Sequence, residues 1–212
     1  MCEYSEHLTF ITGVWCVWLY CRESMWAWPI GVVNCLFQGI VCLDARLYAE
    51  FGEMVIFLIL TLHGWAVWLW GGTDRTEKPM TRGVSLASYT LLLLLSAATC
   101  GCMGWILVNY SDATKGTPQY IVYLDALVFG LSLAAQWLLN IRKLENWLLW
   151  IVVDVFTVGI FLVKERPIMA ALYLIYLVMA ARGFLLWKAK LGSLAAAAAT
   201  ERGPAKEPAT TT

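Results

Sequence analysis

Charge is what this sequence has least of. Charged residues make up 14% of the 212 positions, against about 25% in a soluble domain, so an ordinary water-facing surface is excluded. The two signs balance, with Lys+Arg 15 and Asp+Glu 15, so no long-range field attracts nucleic acid or an acidic partner, and that class is set aside. Histidine occurs twice, as His7 and His63. No HExxH, GxSxG or phosphate-loop pattern is present, which argues against metalloprotease, hydrolase and nucleotide-driven chemistry. No enzyme activity, metal or cofactor is therefore expected. A channel would need rings of like charge or a carbonyl filter motif, and neither is visible.

Cysteine is present but unpaired in pattern. The seven residues, Cys2, Cys16, Cys21, Cys35, Cys42, Cys100 and Cys102, lie mostly in apolar runs with no CxxC spacing, so they read as small buried apolar side chains and not as a zinc site or disulfide framework. The start MCEYSEHLTF lacks a basic region, so no cleavable signal is expected and the first apolar run should persist in the mature protein.

What the chain has in abundance is apolar surface, 60% of residues with mean hydropathy +0.68. A bilayer-crossing helix takes about 20 residues, and apolar runs divided by charged clusters predict seven spans. These are Tyr4–Cys21, Ala27–Leu43, Leu47–Trp70, Val84–Tyr110, Gln119–Asn140, Leu144–Val163 and Pro167–Trp187. With alternating spans, one side carries Arg46, Lys115, Lys164 and Arg166; the other carries Arg22, Arg75, Lys78, Arg82, Arg142, Lys143, Lys188, Lys190, Arg202 and Lys206. The positive-inside rule then expects the N-terminus outside and the C-terminus in the cytoplasm. Residues 191–212 lose aromatics in favour of Ala, Thr and Pro and are expected to be a disordered cytoplasmic tail.

Twelve tryptophans exceed what interfacial belts need, and many recur at a spacing of 119 residues. Trp18, Trp28 and Trp68 align with Trp137, Trp147 and Trp187, and Gly64 aligns with Gly183. The expected organisation is a first three-helix repeat (1–70), a connector with the fourth span (71–118) and a second three-helix repeat (119–190). One intervening span makes the copies parallel, the arrangement of transporters whose site lies between the halves.

Polar residues inside spans are costly and point to a pathway or binding site. Trp147, Trp150 and Asp154 fall at i, i+3 and i+7 and share one helical face. Span five carries Ser132, Gln136 and Asn140 on one face, span two Gly31, Asn34 and Gln38, and span seven Tyr173 and Tyr176. Span three carries Glu50, Glu53 and His63; His63 and Arg182 occupy equivalent places in the two copies, which suits a structural role at span ends. A cavity lined by indoles, phenols, amides and a carboxylate suits a flat, cationic, hydroxylated heteroaromatic ligand. Trp150 has Gly31 as its counterpart, so the second half is expected to supply the ring-stacking wall. The rival reading is a non-transporting membrane scaffold or receptor subunit in which the amides only join helices.

The stretch from Ala134 to Trp187, with WxxWxxxD as Trp147, Trp150 and Asp154, resembles the PnuC family of bacterial nicotinamide riboside transporters. WAWPIGVVN from Trp26 to Asn34, RLYAE from Arg46 to Glu50 and HGWAVW from His63 to Trp68 agree with it, although Glu50 stands where Asp is expected. The resemblance implies an all-α integral membrane protein with seven transmembrane helices, two parallel three-helix repeats joined by a central fourth helix, akin to the SWEET sugar transporters. It further implies the bacterial inner membrane, a homotrimer, and facilitated diffusion of nicotinamide riboside with net uptake drawn by intracellular phosphorylation. Trp147, Trp150 and Asp154 would line the substrate site, with Gln136 and Asn146 as companions. By helical phase Asn146 points about 100° away from Trp147. The resemblance also extends to branches of the family that carry thiamine or other vitamins, and the same residues would accept thiamine, a cationic aromatic.

Overall fold

A computed structural model describes residues 2–44, 48–70, 83–110 and 114–201, and of the side chains at positions 2–7 nothing further is said. The expected basic residues Arg46, Arg75, Lys78, Arg82, Arg202 and Lys206 lie outside the described residues, as does Leu47 at the predicted start of span three. The described residues form seven helices: α1 (Cys2–Cys21), α2 (Ala27–Asp44), α3 (Tyr48–Trp70), α4 (Leu86–Tyr110), α5 (Gln119–Asn140), α6 (Asn146–Val163) and α7 (Pro167–Glu201). Chains this apolar form helices because hydrocarbon offers no partner for backbone amides, which must therefore be satisfied within each segment. Six of the seven are long and apolar enough to cross a bilayer, and the apolar part of α1 is the shorter stretch Leu8–Cys21.

Two expectations shift. α7 continues through the alanine run to Glu201, so residues 191–201 are helical and not a disordered tail; alanine has the highest helix propensity and extends a helix already nucleated in the membrane. Residues 202–212 of the expected tail lie outside the described residues. Cys16, Cys21 and Cys42 are buried as small apolar groups, whereas Cys102 is exposed on α4.

α1 packs on α2, α2 on α3, α5 on α6 and α6 on α7; α1 also meets α7, α3 meets α5, and α4 lies against α5. The turns after α1 and α5 are alike. Each ends in a non-glycine residue with left-handed backbone, Glu23 at φ 54° and Arg142 at φ 55°. In one, Ser24 N donates to Leu19 O and Glu23 N to Tyr20 O; in the other, Lys143 N donates to Leu138 O and Arg142 N to Leu139 O. These are the paired bonds of a Schellman cap, which satisfies the orphan carbonyls of a helix end.

Two aromatic clusters stand behind these turns. Trp28 and Trp68 meet edge to face at 5.3 Å between ring centroids, and Trp147 and Trp187 do so at 5.5 Å. Trp68 Nε1 donates to Asn140 O at 3.1 Å, joining α3 to the end of α5, and Trp187 Nε1 donates to Tyr20 O at 3.2 Å, joining α7 to the end of α1. Gly64 and Gly183 leave room for the indoles of Trp28 and Trp147, so both rings lie directly on a helix backbone. Small residues allow this close approach inside a membrane, where packing and not water exclusion holds helices together.

Candidate functional site

A cavity of about 250 Å³ lies among the helices, with walls from α1, α2, α3, α5, α6 and α7 and no lining residue from α4. The face read from the sequence points into it: Trp147, Trp150 and Asp154 all line it, one helical turn after another along α6. Gln136 of α5, Asn34 of α2 and Tyr173 and Tyr176 of α7 join them. Asp154 is 4% exposed, and among the described residues it is the only acidic side chain in the lining, to which no Lys, Arg or His contributes.

Several of these groups are held by their neighbours. Gln136 Nε2 donates to Asn140 Oδ1 at 3.2 Å, and Asn140 Nδ2 donates in turn to Leu60 O at 2.9 Å, with His63 Nδ1 at 3.2 Å from the same nitrogen. Asn140 is fully buried, so this chain ties α5 to α3 behind the cavity. His63 also stacks on Trp137, with centroids 5.2 Å apart and planes 8° apart, which accords with its structural reading. Asn34 Nδ2 donates to Thr9 O at 2.8 Å and Thr12 Oγ1 at 3.0 Å, which fixes its amide against α1. Tyr173 and Tyr176 meet edge to face at 5.6 Å, and Phe161 stacks on Tyr173.

Two expected site residues do not line the cavity. Asn146 is fully buried at the start of α6, where Nδ2 donates to Lys143 O at 2.5 Å; its phase relative to Trp147 turns it away, as helical geometry requires. Gln38 is half-buried and lies one turn beyond Asn34, past the lining of α2. Lining residues that the sequence reading did not single out include Cys16, Val17 and Tyr20 of α1, Cys35 of α2 and Met54, Phe57 and Thr61 of α3.

The repeat spacing was the signal that would have found most of them. Val17, Gly31, Cys35, Met54 and Phe57 stand 119 positions before Gln136, Trp150, Asp154, Tyr173 and Tyr176, and all ten residues line the cavity. Tyr20 with Leu139 and Thr61 with Ala180 complete the set of paired lining positions. Within the first five pairs the second-half member is always the larger or more polar, so the two walls differ chemically although their positions correspond.

Residues 3–189 match the model of the nicotinamide mononucleotide transporter family. This chain belongs to that family. It is 24% identical to the nicotinamide riboside transporter PnuC of Escherichia coli (strain K12), over 87% of this chain and 85% of that one. It is also 22% identical to the riboflavin/roseoflavin transporter RibM of Streptomyces davaonensis, over 82% of this chain and 79% of that one. Among solved structures, the crystal structure of the vitamin B3 transporter PnuC superposes with TM-score 0.68 at 21% identity, covering 90% of this chain and 83% of that chain. The family resemblance read from the sequence agrees with these matches, and the fold is that of PnuC. The chain is a multi-pass membrane transporter and not an enzyme.

Proposed function

We propose that this transporter carries nicotinamide riboside through the cavity by facilitated diffusion, and that phosphorylation of the riboside in the cytoplasm draws net uptake. The observation that carries the substrate choice is the lining itself: aromatic rings, amides and one carboxylate, with no cationic side chain. A pyridinium ring stacks on indoles and is attracted by their quadrupole and by Asp154. A mononucleotide brings a phosphate, which ordinarily requires Arg, Lys or backbone amides, and the lining supplies no such cation. A volume of about 250 Å³ stands just under the range of about 300 to 1,000 Å³ usual for drug-sized ligands, which favours a single-ring riboside over a tricyclic flavin.

The supporting architecture is two parallel three-helix repeats, α1–α3 and α5–α7, joined by α4, with the substrate site on the axis between them. In support, the packing of α1 on α7 and α3 on α5 exchanges under such an axis, as do the paired caps, the tryptophan pairs and the paired cavity positions. The charge distribution supports an N-terminus outside and a C-terminus in the cytoplasm of a bacterial inner membrane. The family resemblance supports assembly as a homotrimer.

Calorimetry on the purified protein with nicotinamide riboside, nicotinamide mononucleotide and thiamine tests the substrate. Tightest binding of the riboside is expected; tighter binding of either competitor overturns the choice. Labelled riboside should equilibrate across proteoliposomes without ion gradient or nucleotide. Flux only with a proton gradient would overturn uniport, and no flux at all would favour a scaffold or receptor subunit.

A further inference from the structure

The two seams between the halves, α3 on α5 and α1 on α7, are built alike. At the first, Asn140 Nδ2 donates to Leu60 O at 2.9 Å. At the second, Cys21 Sγ donates to Met179 O at 3.4 Å, and both partners stand 119 positions from their counterparts. Trp18 and Arg182 correspond in the same way to Trp137 and His63. There the likeness ends. His63 stacks on Trp137 and reaches Asn140, so the α3–α5 seam is closed by its own side chains. At the α1–α7 seam Arg22 and Arg182 instead line a cleft of about 50 Å³ with Trp18 and Cys21. Arg22 has Ile141 as its counterpart, so two guanidinium groups stand where the other seam has an imidazole and an isoleucine.

Both arginines are exposed, and among the described residues neither meets a carboxylate. No acidic side chain lines the cleft among the described residues, and Glu23, next to Arg22, is engaged by Lys190 Nζ at 3.0 Å. Arg182 lies inside the last apolar span, five residues before Trp187, where a charge is costly and calls for a partner. Arg22 Cζ stands 4.1 Å from the centroid of the Trp18 ring. Stacking occupies the face of the guanidinium and leaves its in-plane N–H donors for a phosphate, whose geometry their fork matches. Two like charges on one cleft repel, and an anion between them removes that cost. We propose that the cleft between α1 and α7 binds the phosphodiester of an anionic phospholipid, held by Arg22 and Arg182 against Trp18. Its end of the bundle also carries Arg142, Lys143, Lys188 and Lys190, the end that the positive-inside rule assigns to the anionic cytoplasmic leaflet. The cleft shares no lining residue with the central cavity, so the lipid braces a seam between the halves and takes no part in holding the substrate.

Thermal unfolding of the purified protein in detergent is followed with added phosphatidylglycerol, phosphatidylcholine or inorganic phosphate. Arg182→Gln is compared with the unaltered chain and with Lys188→Gln, which removes one cation from the same end of α7. Phosphatidylglycerol should raise the midpoint of the unaltered chain and of Lys188→Gln alike, as a ligand of the folded state does. In Arg182→Gln that rise should fall by at least half. Equal rises in all three proteins, or equal losses in both variants, would mean that the lipid responds to general surface charge and overturn the site. A matching rise with phosphatidylcholine overturns selectivity for an anionic lipid, and one with inorganic phosphate assigns the cleft to a soluble anion; no rise with any of the three overturns the proposal outright. Should Arg182→Gln fail to fold, the unaltered chain decides, through phosphatidylglycerol carrying a photo-crosslinker on its headgroup. Label on the peptides that contain Arg22 and Arg182 is expected, and label absent from both overturns the proposal.

Discussion

The indole of Trp147 lies so close over Gly183 that a Cβ on that glycine would stand 2.7 Å from Cε2, Cζ2 and Cη2 of the ring. Trp28 covers Gly64 in the corresponding way in the first half, but of the two indoles only Trp147 lines the cavity. Gly183→Ala must displace a ring on the cavity wall. Overpacking of this kind costs about 1–3 kcal/mol, more than the ~1 kcal/mol that alanine gains over glycine in a helix. Both Gly183→Ala and Gly64→Ala should lower the thermal unfolding midpoint in detergent, whereas riboside affinity should fall more in Gly183→Ala. Equal binding losses would mean that Trp147 is no closer to the ligand than Trp28.

Asp154→Asn keeps the shape of the side chain and removes the only carboxyl group among the described lining residues. Charged hydrogen bonds and ion contacts contribute about 1.5–3 kcal/mol, so affinity for the cationic riboside should fall by about tenfold or more. The reduced, uncharged dihydro form should bind the variant and the parent alike. Calorimetry with both redox forms reads the ratio directly; a parallel loss for both would assign Asp154 to helix packing.

Much of this was legible because lipid imposes few rules. Runs of apolar residues mark the spans, and the face shared by Trp147, Trp150 and Asp154 follows from helical phase alone. Asn146 and Gln38 stand outside the lining for different reasons: Asn146 sits at a helix start, where its amide serves the backbone of the preceding turn, and Gln38 shares a stripe with Asn34 but lies beyond the end of the lining. The first-half wall was hard to see beyond Gly31 and Asn34 because Val17, Cys35, Met54 and Phe57 carry no strong polar signal of their own. Only their correspondence with polar residues 119 positions later reveals them. The helical course of residues 191–201 was missed because composition that fails to build a core can still extend a helix begun elsewhere.

Asn140 holds α5 to α3 through two groups, Leu60 O and His63 Nδ1, and accepts from Gln136 Nε2 of its own helix, all within 3.2 Å of its amide atoms. Asn140→Leu would strand the Leu60 carbonyl contact and free the Gln136 amide. Leaving buried polar groups unpaired costs about 1–3 kcal/mol. The unfolding midpoint should fall, and riboside affinity should fall with it, since Gln136 lines the cavity. Unchanged affinity in a destabilised variant would show that Gln136 needs no support from Asn140.

Trp68 and Trp187 supply the last test, of the two-fold relation itself. Each indole N–H donates across the boundary between the halves, to carbonyls of Asn140 and Tyr20 in the final turns of α5 and α1. Carbonyls in a final turn have no intrahelical donor; Tyr20 O also accepts from Glu23 N in its cap, so Trp187 adds a second donor there, whereas no cap bond among the described residues reaches Asn140 O. Trp→Phe at either position removes the donor while retaining a ring. Loss of one such bond is expected to cost about 0.5–1.5 kcal/mol, with more if the carbonyl is left unsatisfied. If the halves are related by an axis, Trp68→Phe and Trp187→Phe should both lower the unfolding midpoint, Trp187→Phe by less because Tyr20 O keeps the Glu23 donor, and neither residue lines the cavity, so riboside binding should change little. The double variant reads the coupling between the two bonds: Tyr20 and Trp68 both pack on the ring of Trp28, so a departure from additivity is expected. A large effect at one position and none at the other would show that the correspondence is one of sequence and not of mechanical role.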